Sequence, residues 1–216
     1  MICCQCEGIE EVFSQKYVDK ELAHYRKKGP DKTTRMLNEN IRAEISAEKV
    51  EELTLLDIGG GVGAIQLELL GAGVQDVTSV EASTAYLTAA RAEAQRRGLA
   101  DRVSYHHGNF IDLAEEIAPA DIVTLDRVIC CYPEMEKLVG LSAARARRLY
   151  GLVYPRDVWW VKAGLELGNL VLRLRKSSYR AFVHPTEKVE AILWRNGFKR
   201  RTYRQTFIWQ VVVYTR

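Results

Sequence analysis

Four clusters of residues along the 216-residue chain could do chemistry. The first is a glycine loop, Gly59-Gly60-Gly61-Val62-Gly63, set two residues after Asp57. Glycines let a ligand approach the backbone, and a helix opening just after them offers unpaired N–H groups. The second is Glu81-Ala82, 24 residues beyond Asp57, where an acid could accept hydrogen bonds from both hydroxyls of a sugar. The third is His107-Gly108-Asn109-Phe110: an amide oxygen that can accept from an amino group, beside a ring that can cover a flat heterocycle. The fourth is Asp126-Arg127-Val128-Ile129-Cys130-Cys131-Tyr132-Pro133, which holds charge, thiols and a phenol together.

Something must position these clusters. Leu53 to Ile58 is a short apolar run that reads as a buried strand entering the glycine turn. Helical text follows with Ile65, Leu69 and Leu70. Asp76–Val80 reads as the next strand, and Ser83 is placed to cap a helix that Gly98 ends. Arg102–His106, Asp121–Leu125 and Leu149–Tyr154 read as further strands, with a helix over residues 134–147. Strands alternating with helices imply a parallel sheet covered on both faces. The end departs from that rhythm. After a helix over residues 185–196, residues 198–206 and 207–215 read as two strands with almost nothing between them. A parallel crossover needs a dozen residues, so these two must be antiparallel. The expected fold is therefore α/β: a doubly wound, mostly parallel, Rossmann-like seven-stranded sheet with a C-terminal antiparallel hairpin. Residues 1–50 form a helical extension, and residues 51–216 the main domain. In the extension Ile9, Val12, Phe13 and Tyr17 share a helical face, Gly29-Pro30 breaks the helix, and Asp31 can cap the next one.

Two readings of the glycine loop compete. Gly59-x-Gly61-x-x-Ala64 satisfies the dinucleotide fingerprint. Asp57-x-Gly59-x-Gly61-x-Gly63 resembles the first motif of class I S-adenosylmethionine-dependent methyltransferases. Asp57 favours the latter, because a carboxylate in the turn repels a pyrophosphate and suits a cationic amino group. The terminal hairpin favours it too, being typical of that family's sheet. The resemblance covers roughly residues 50–216. It implies S-adenosyl-L-methionine as cofactor and S-adenosyl-L-homocysteine as product. It implies cofactor contacts at Asp57, Gly59, Gly61, Gly63, Glu81, Ala82, Asn109, Phe110 and Asp126. Where Asn109 stands the family often has Asp; an amide oxygen can still accept the adenine amino bond.

Methyl transfer needs nucleophile, methyl carbon and sulfur in line, and a carboxylate acceptor needs little or no general base. Tyr132, after the fourth strand, is the expected catalytic residue near the methyl. Trp159 and Trp160, flanked by Arg156 and Lys162, could grip a flat apolar molecule bearing acids. Residues 130–133, 154–157 and 184–186 resemble relatives of magnesium-protoporphyrin O-methyltransferase, which esterifies a propionate. The expected acceptor is thus a small, planar, acidic molecule. The N-terminal helices are expected to act as a lid. Tyr17, Tyr25 and Arg26 would meet the acceptor together with Arg127, and Thr33 and Thr34 the cofactor carboxylate.

Composition bounds these readings. Hydrophobic residues make up 47% and charged residues 27%, an ordinary globular balance that excludes disorder and disulfide mini-scaffolds. The formal charge of +3 does not announce a nucleic-acid binder, and clusters such as Arg145–Arg148 and Lys199–Arg201 usually form a solvated face. No apolar run approaches a membrane span, and Met1–Glu10 lacks the features of a signal peptide. The five cysteines, Cys3, Cys4, Cys6, Cys130 and Cys131, read as thiols of a cytoplasmic protein, without metal-ligand spacing. Two other functions stay open: a methyltransferase acting on RNA or protein, and a non-catalytic cofactor-binding subunit.

Overall fold

The computed structural model describes residues 4–48 and 52–216. Cys3, the side chains of Cys4 and Cys6, and the expected domain junction at residue 50 lie outside the described residues. Seven strands form one sheet: β1 (Leu53–Ile58), β2 (Val74–Glu81), β3 (Val103–His107), β4 (Ala120–Asp126), β5 (Ala146–Pro155), β6 (Lys199–Gln205) and β7 (Trp209–Thr215). Their spatial order is β3-β2-β1-β4-β5-β7-β6. The first five are parallel, and β7 runs antiparallel to both β5 and β6. The order turns back between β1 and β4, so a crevice opens at the carboxyl ends of those two strands.

β1 and β4 are central and are covered on both faces, which is why apolar residues point to both sides along them. Leu56, Ile58, Val123 and Leu125 face one side, with Leu138 and Val139 of α7 (Met135–Arg145) and Leu193 of α9 (Thr186–Arg195). Leu53, Leu55 and Ile122 face the other, with Leu37, Ile41 and Ile45 of α3 (Lys32–Glu48) and Ile65 and Leu69 of α4 (Ala64–Leu70). A third, smaller cluster joins Val18 and Tyr25 of α2 (Gln15–Lys28) to Tyr86, Ala89 and Ala94 of α5 (Thr84–Arg96). β6 is an edge strand with exposed Lys199, Arg200, Arg201 and Arg204, which blunts edge-to-edge pairing.

The N-terminal segment differs from the single face expected for it. It breaks after α1 (Cys4–Val12), and Ser14 takes extended geometry ahead of α2. Ile9 and Tyr17 therefore sit on different helices. Gly29 ends α2 with φ +76, a value that a side chain resists. Asp31 precedes α3 as expected, and its carboxylate pairs with Arg127 at 3.1 Å. Ser83 caps α5, accepting from the Tyr86 N–H. The segment after β5 forms α8 (Trp159–Leu174), for which the sequence pattern alone supplies no bounds.

Candidate functional site

A cavity of about 310 Å³ opens at the carboxyl ends of β1, β2 and β4. The glycine loop forms its floor. Gly59 adopts φ +66, and a Cβ there would come within 2.5 Å of Val128 Cγ2, so no larger residue fits. Gly59, Gly60 and Gly61 line the cavity; Gly63, one turn on, precedes α4 and does not.

Asp57 is fully buried beneath the loop and does not line the cavity. The Thr124 hydroxyl donates to Oδ1 at 2.7 Å, and Gln66 Nε2 donates to Oδ2 at 3.1 Å. Burial pushes its carboxyl up to about 6, with those two bonds opposing the shift. A Cβ on Gly60 would strike Gln66 Nε2 and Asp57 Oδ2, so the loop rests directly on this buried network. Asp57 thus braces the turn from below.

Glu81 ends β2 and does line the cavity. Its Oε2 accepts the Gly61 N–H at 3.1 Å and its Oε1 the Ser83 N–H at 2.9 Å. Burial still pushes its carboxyl up to about 7, against the pull of those backbone bonds. Ala82 and Gly108 continue the wall to Phe110, which opens the short helix α6 (Phe110–Leu113). Asn109 caps that helix instead of lining the cavity. Its oxygen accepts the Ile111 N–H at 3.1 Å and also the Tyr132 hydroxyl.

At the end of β4, Asp126 accepts the hydroxyl of Thr34 on one oxygen and Arg127 Nε at 3.1 Å on the other. Arg127 Nη1 reaches Asp31. Arg127 holds φ +61, a strained value for a non-glycine residue at the cavity wall. Both neighbouring aspartates raise its pKa, Asp126 most, so it stays a cation. Thr34, Asp126, Arg127 and Tyr132 all line the cavity, while Thr33 is buried and does not.

The N-terminal helices close the opposite side with Ile9, Phe13, Tyr17 and Glu21. The Tyr86 hydroxyl donates to Glu21 at 2.6 Å, and the Phe13 and Tyr86 rings lie 5.2 Å apart. Tyr25 and Arg26 face away from the cavity. Tyr25 packs under Arg97, 5.0 Å from ring centroid to guanidinium, and Arg26 pairs with Glu93 at 2.8 Å. They fasten α2 to the α5 end of the fold.

Arg156, Trp159 and Trp160 also fall outside the cavity lining. Pro155 still pairs with Trp209, so the chain leaves β5 alongside the β6–β7 turn. There the Arg156 guanidinium donates to the carbonyls of Thr206 and Phe207 and lies over Trp160, which stacks on Phe207. Trp159 is 75% exposed.

Several lining residues carry no motif. Glu21, Tyr86, Tyr179 and Trp209 reach the cavity only through tertiary packing. Tyr179 follows α8 and sets its hydroxyl 3.0 Å from Cys131 Sγ. The periodicity of Ile9 and Phe13 did mark them as a packed face. Among the described residues no group of three metal-ligating side chains assembles.

Residues 55–149 match the family described as a methyltransferase domain. No curated protein matches the chain in sequence. Magnesium protoporphyrin IX methyltransferase from Synechocystis PCC 6803, solved with bound S-adenosylhomocysteine, is similar in fold. Its TM-score is 0.72 and its identity 20%, over 96% of this chain and 98% of that one. The sarcosine dimethylglycine methyltransferase described from Galdieria sulphuraria gives a TM-score of 0.64 and 12% identity, over 82% and 84%. Over residues 55–149 the chain thus matches a methyltransferase domain, and its fold is the one these solved methyltransferases share.

Proposed function

We propose that this enzyme methylates a small, largely planar molecule bearing an acidic group, a carboxylate of a magnesium-protoporphyrin-like compound being the leading class. One observation carries the reading. The cavity is walled by Phe13, Tyr17, Tyr86, Tyr132 and Tyr179, and Arg127 is the one Lys or Arg side chain among its described lining residues. Aromatic walls suit a flat apolar body. Arg127 uses Nε on Asp126 and Nη1 on Asp31, while Nη2 makes only a 3.5 Å contact with Thr34. A guanidinium has five donors, so some remain for an acceptor carboxylate. The fold it shares with the Synechocystis enzyme supports the same class.

The residues present fit S-adenosylmethionine. Glu21, Glu81 and Asp126 set three carboxylates against one guanidinium in the cavity, a balance that favours a cationic ligand. Glu81 would hold the ribose hydroxyls, the Gly59–Gly61 backbone the methionine portion, and Phe110 the adenine face. Thr34 and Asp126 would meet the amino and carboxylate groups. When bound, the cofactor supplies the methyl carbon and its sulfur leaving group. The chain's own part is to align an acceptor oxygen, to exclude water, and to keep Tyr132 oriented through Asn109. α1 to α3 act as the lid, since Ile9, Phe13, Tyr17, Glu21 and Thr34 complete the wall.

The basic clusters lend no support to an RNA substrate. Arg200, Arg201 and Arg204 pair with Glu190, Glu44 and Glu39. Incubation with methyl-labelled cofactor and either a porphyrin propionate or total RNA tests the reading. Label is expected in a base-labile ester of the porphyrin. Label in RNA alone would overturn it.

A further inference from the structure

α8 turns its apolar side outward. Trp159, Ala163, Leu167, Leu170, Val171 and Leu174 recur at intervals of three and four residues, one helical face, and all are exposed. Leu167 is 64% exposed and Leu174 76%, where an ordinary surface helix would carry charge. The turn between β6 and β7 extends the patch with Phe207, 73% exposed, and Ile208. Val161 and Asn169, on the opposite side, are the buried residues of the helix. A contiguous exposed patch of this kind marks an interaction surface.

The surrounding charge indicates the partner. Arg173, Arg175 and Lys176 follow the stripe at its C-terminal end, are exposed, and form no ion pair among the described residues. Arg156 and Lys162 stand at the other end. Asp157 and Glu166 are the two acids between residues 156 and 182, and Asp157 is held by Lys162. An antiparallel pair of copies would bring the Arg173–Lys176 end of one against the Arg156–Lys162 end of the other, basic against basic. An anionic bilayer surface meets both features: acyl chains take the stripe, and headgroups take the rim.

We propose that α8 and the β6–β7 turn form a membrane-surface docking face, with α8 lying in the plane of an anionic lipid leaflet. The inference goes beyond the methylation reading and does not depend on which acceptor is used. The helix is nonetheless wired to the cavity: Asn169 donates to the Ala181 carbonyl and accepts the Ala181 N–H, and Tyr179 in the same segment lines the cavity. Docking would therefore set that wall of the site near the lipid.

Vesicle flotation with the full chain tests this. The expected result is binding to vesicles of equal parts phosphatidylcholine and phosphatidylglycerol, weakening with salt, and little binding to phosphatidylcholine alone. The double variant Leu170→Glu/Leu174→Glu should lose the bound fraction. The triple variant Arg173→Ser/Arg175→Ser/Lys176→Ser should weaken binding by about fivefold per charge. Calorimetry with S-adenosylhomocysteine checks that each variant is folded. Failure to float with anionic vesicles, or flotation unchanged in both folded variants, overturns the proposal. A concentration-dependent dimer that the leucine variant abolishes would assign the face to a second copy and overturn it as well.

Discussion

Thr34 donates its hydroxyl to Asp126, 92 positions further along the chain, and so fastens the first turn of α3 to the carboxyl end of β4. The bond joins the N-terminal helices to the sheet at the cavity wall. Replacing the hydroxyl by a methyl leaves a partly buried carboxylate short of a donor, a loss on the order of 1.5–3 kcal/mol for a charged acceptor. Thr34→Val is therefore expected to weaken cofactor binding about tenfold, read by calorimetry with S-adenosylhomocysteine. An unchanged dissociation constant in a folded variant would detach this contact from the site.

Glu81 supplies the next expectation. Glu81→Ala removes the proposed acceptor for the ribose hydroxyls, and affinity should again fall about tenfold or more. The pH dependence has a definite sign. The folded-state carboxyls of Glu81 and Asp57 are raised to about 7 and about 6 by burial. Raised acids bind protons more tightly in the folded state, so this stabilisation is complete below about 4, the unfolded range, and lost as pH rises through 6 to 7. Denaturant titrations of the ligand-free protein should show it losing stability over that window. A Glu81→Gln variant should show a shallower loss, and an identical slope would remove Glu81 from the account.

Glu93 runs the opposite way. Hydrogen bonds from Arg96, then from Arg26 and Arg97, hold its carboxyl down at about 2, although burial opposes them. Its contribution is present above the ordinary glutamate range and is lost as pH falls toward 2. Because Arg26 belongs to α2, acid should release α2 before the sheet melts. Hydrogen exchange in α2 should rise as pH falls from about 4.5 toward about 2, ahead of exchange in β1. Glu93→Gln should show the same local opening at neutral pH. Uniform exchange in both elements would contradict this.

Truncation separates binding from catalysis. Removing residues 1–28 strips Ile9, Phe13, Tyr17 and Glu21 from the cavity wall and leaves the glycine loop and Glu81 in place. Turnover is expected to fall by at least about a hundredfold while cofactor affinity changes far less, if these helices act as the proposed lid that orients the acceptor and excludes water. A truncated enzyme of full activity would dissolve the lid assignment.

Two arginines divide the acceptor question. Arg127→Met should lower kcat/KM for an acidic acceptor by about tenfold to a hundredfold, in line with loss of a charged hydrogen bond. Arg156→Ala should leave it nearly unchanged, because Arg156 spends its donors on the β6–β7 turn. The reverse result, measured by steady-state kinetics, would move the acceptor to the tryptophan segment.

What the chain discloses by itself is local. The apolar run 53–58 followed by glycines, Ser83 at a helix start, and two strands with no room for a crossover each depend on neighbours within a few residues. From such pieces the sheet, the hairpin and the cavity-lining Glu81, Phe110, Asp126 and Tyr132 are readable, because strand ends in a doubly wound sheet share one edge. The orientation of the remaining side chains is a tertiary matter. Asp57 sits at the motif position but lies under the loop, because Thr124, on a strand 67 residues away, captures its oxygen. Tyr25 and Arg26 share α2 with Tyr17, yet packing against α5 turns them to Glu68, Glu93 and Arg97. Tyr179 has no motif at all and enters the cavity on a segment that Asn169 anchors to α8 through Ala181. Periodicity reports which residues are buried or share a face. Which partner each polar group then finds depends on long-range packing, and only the folded chain supplies it.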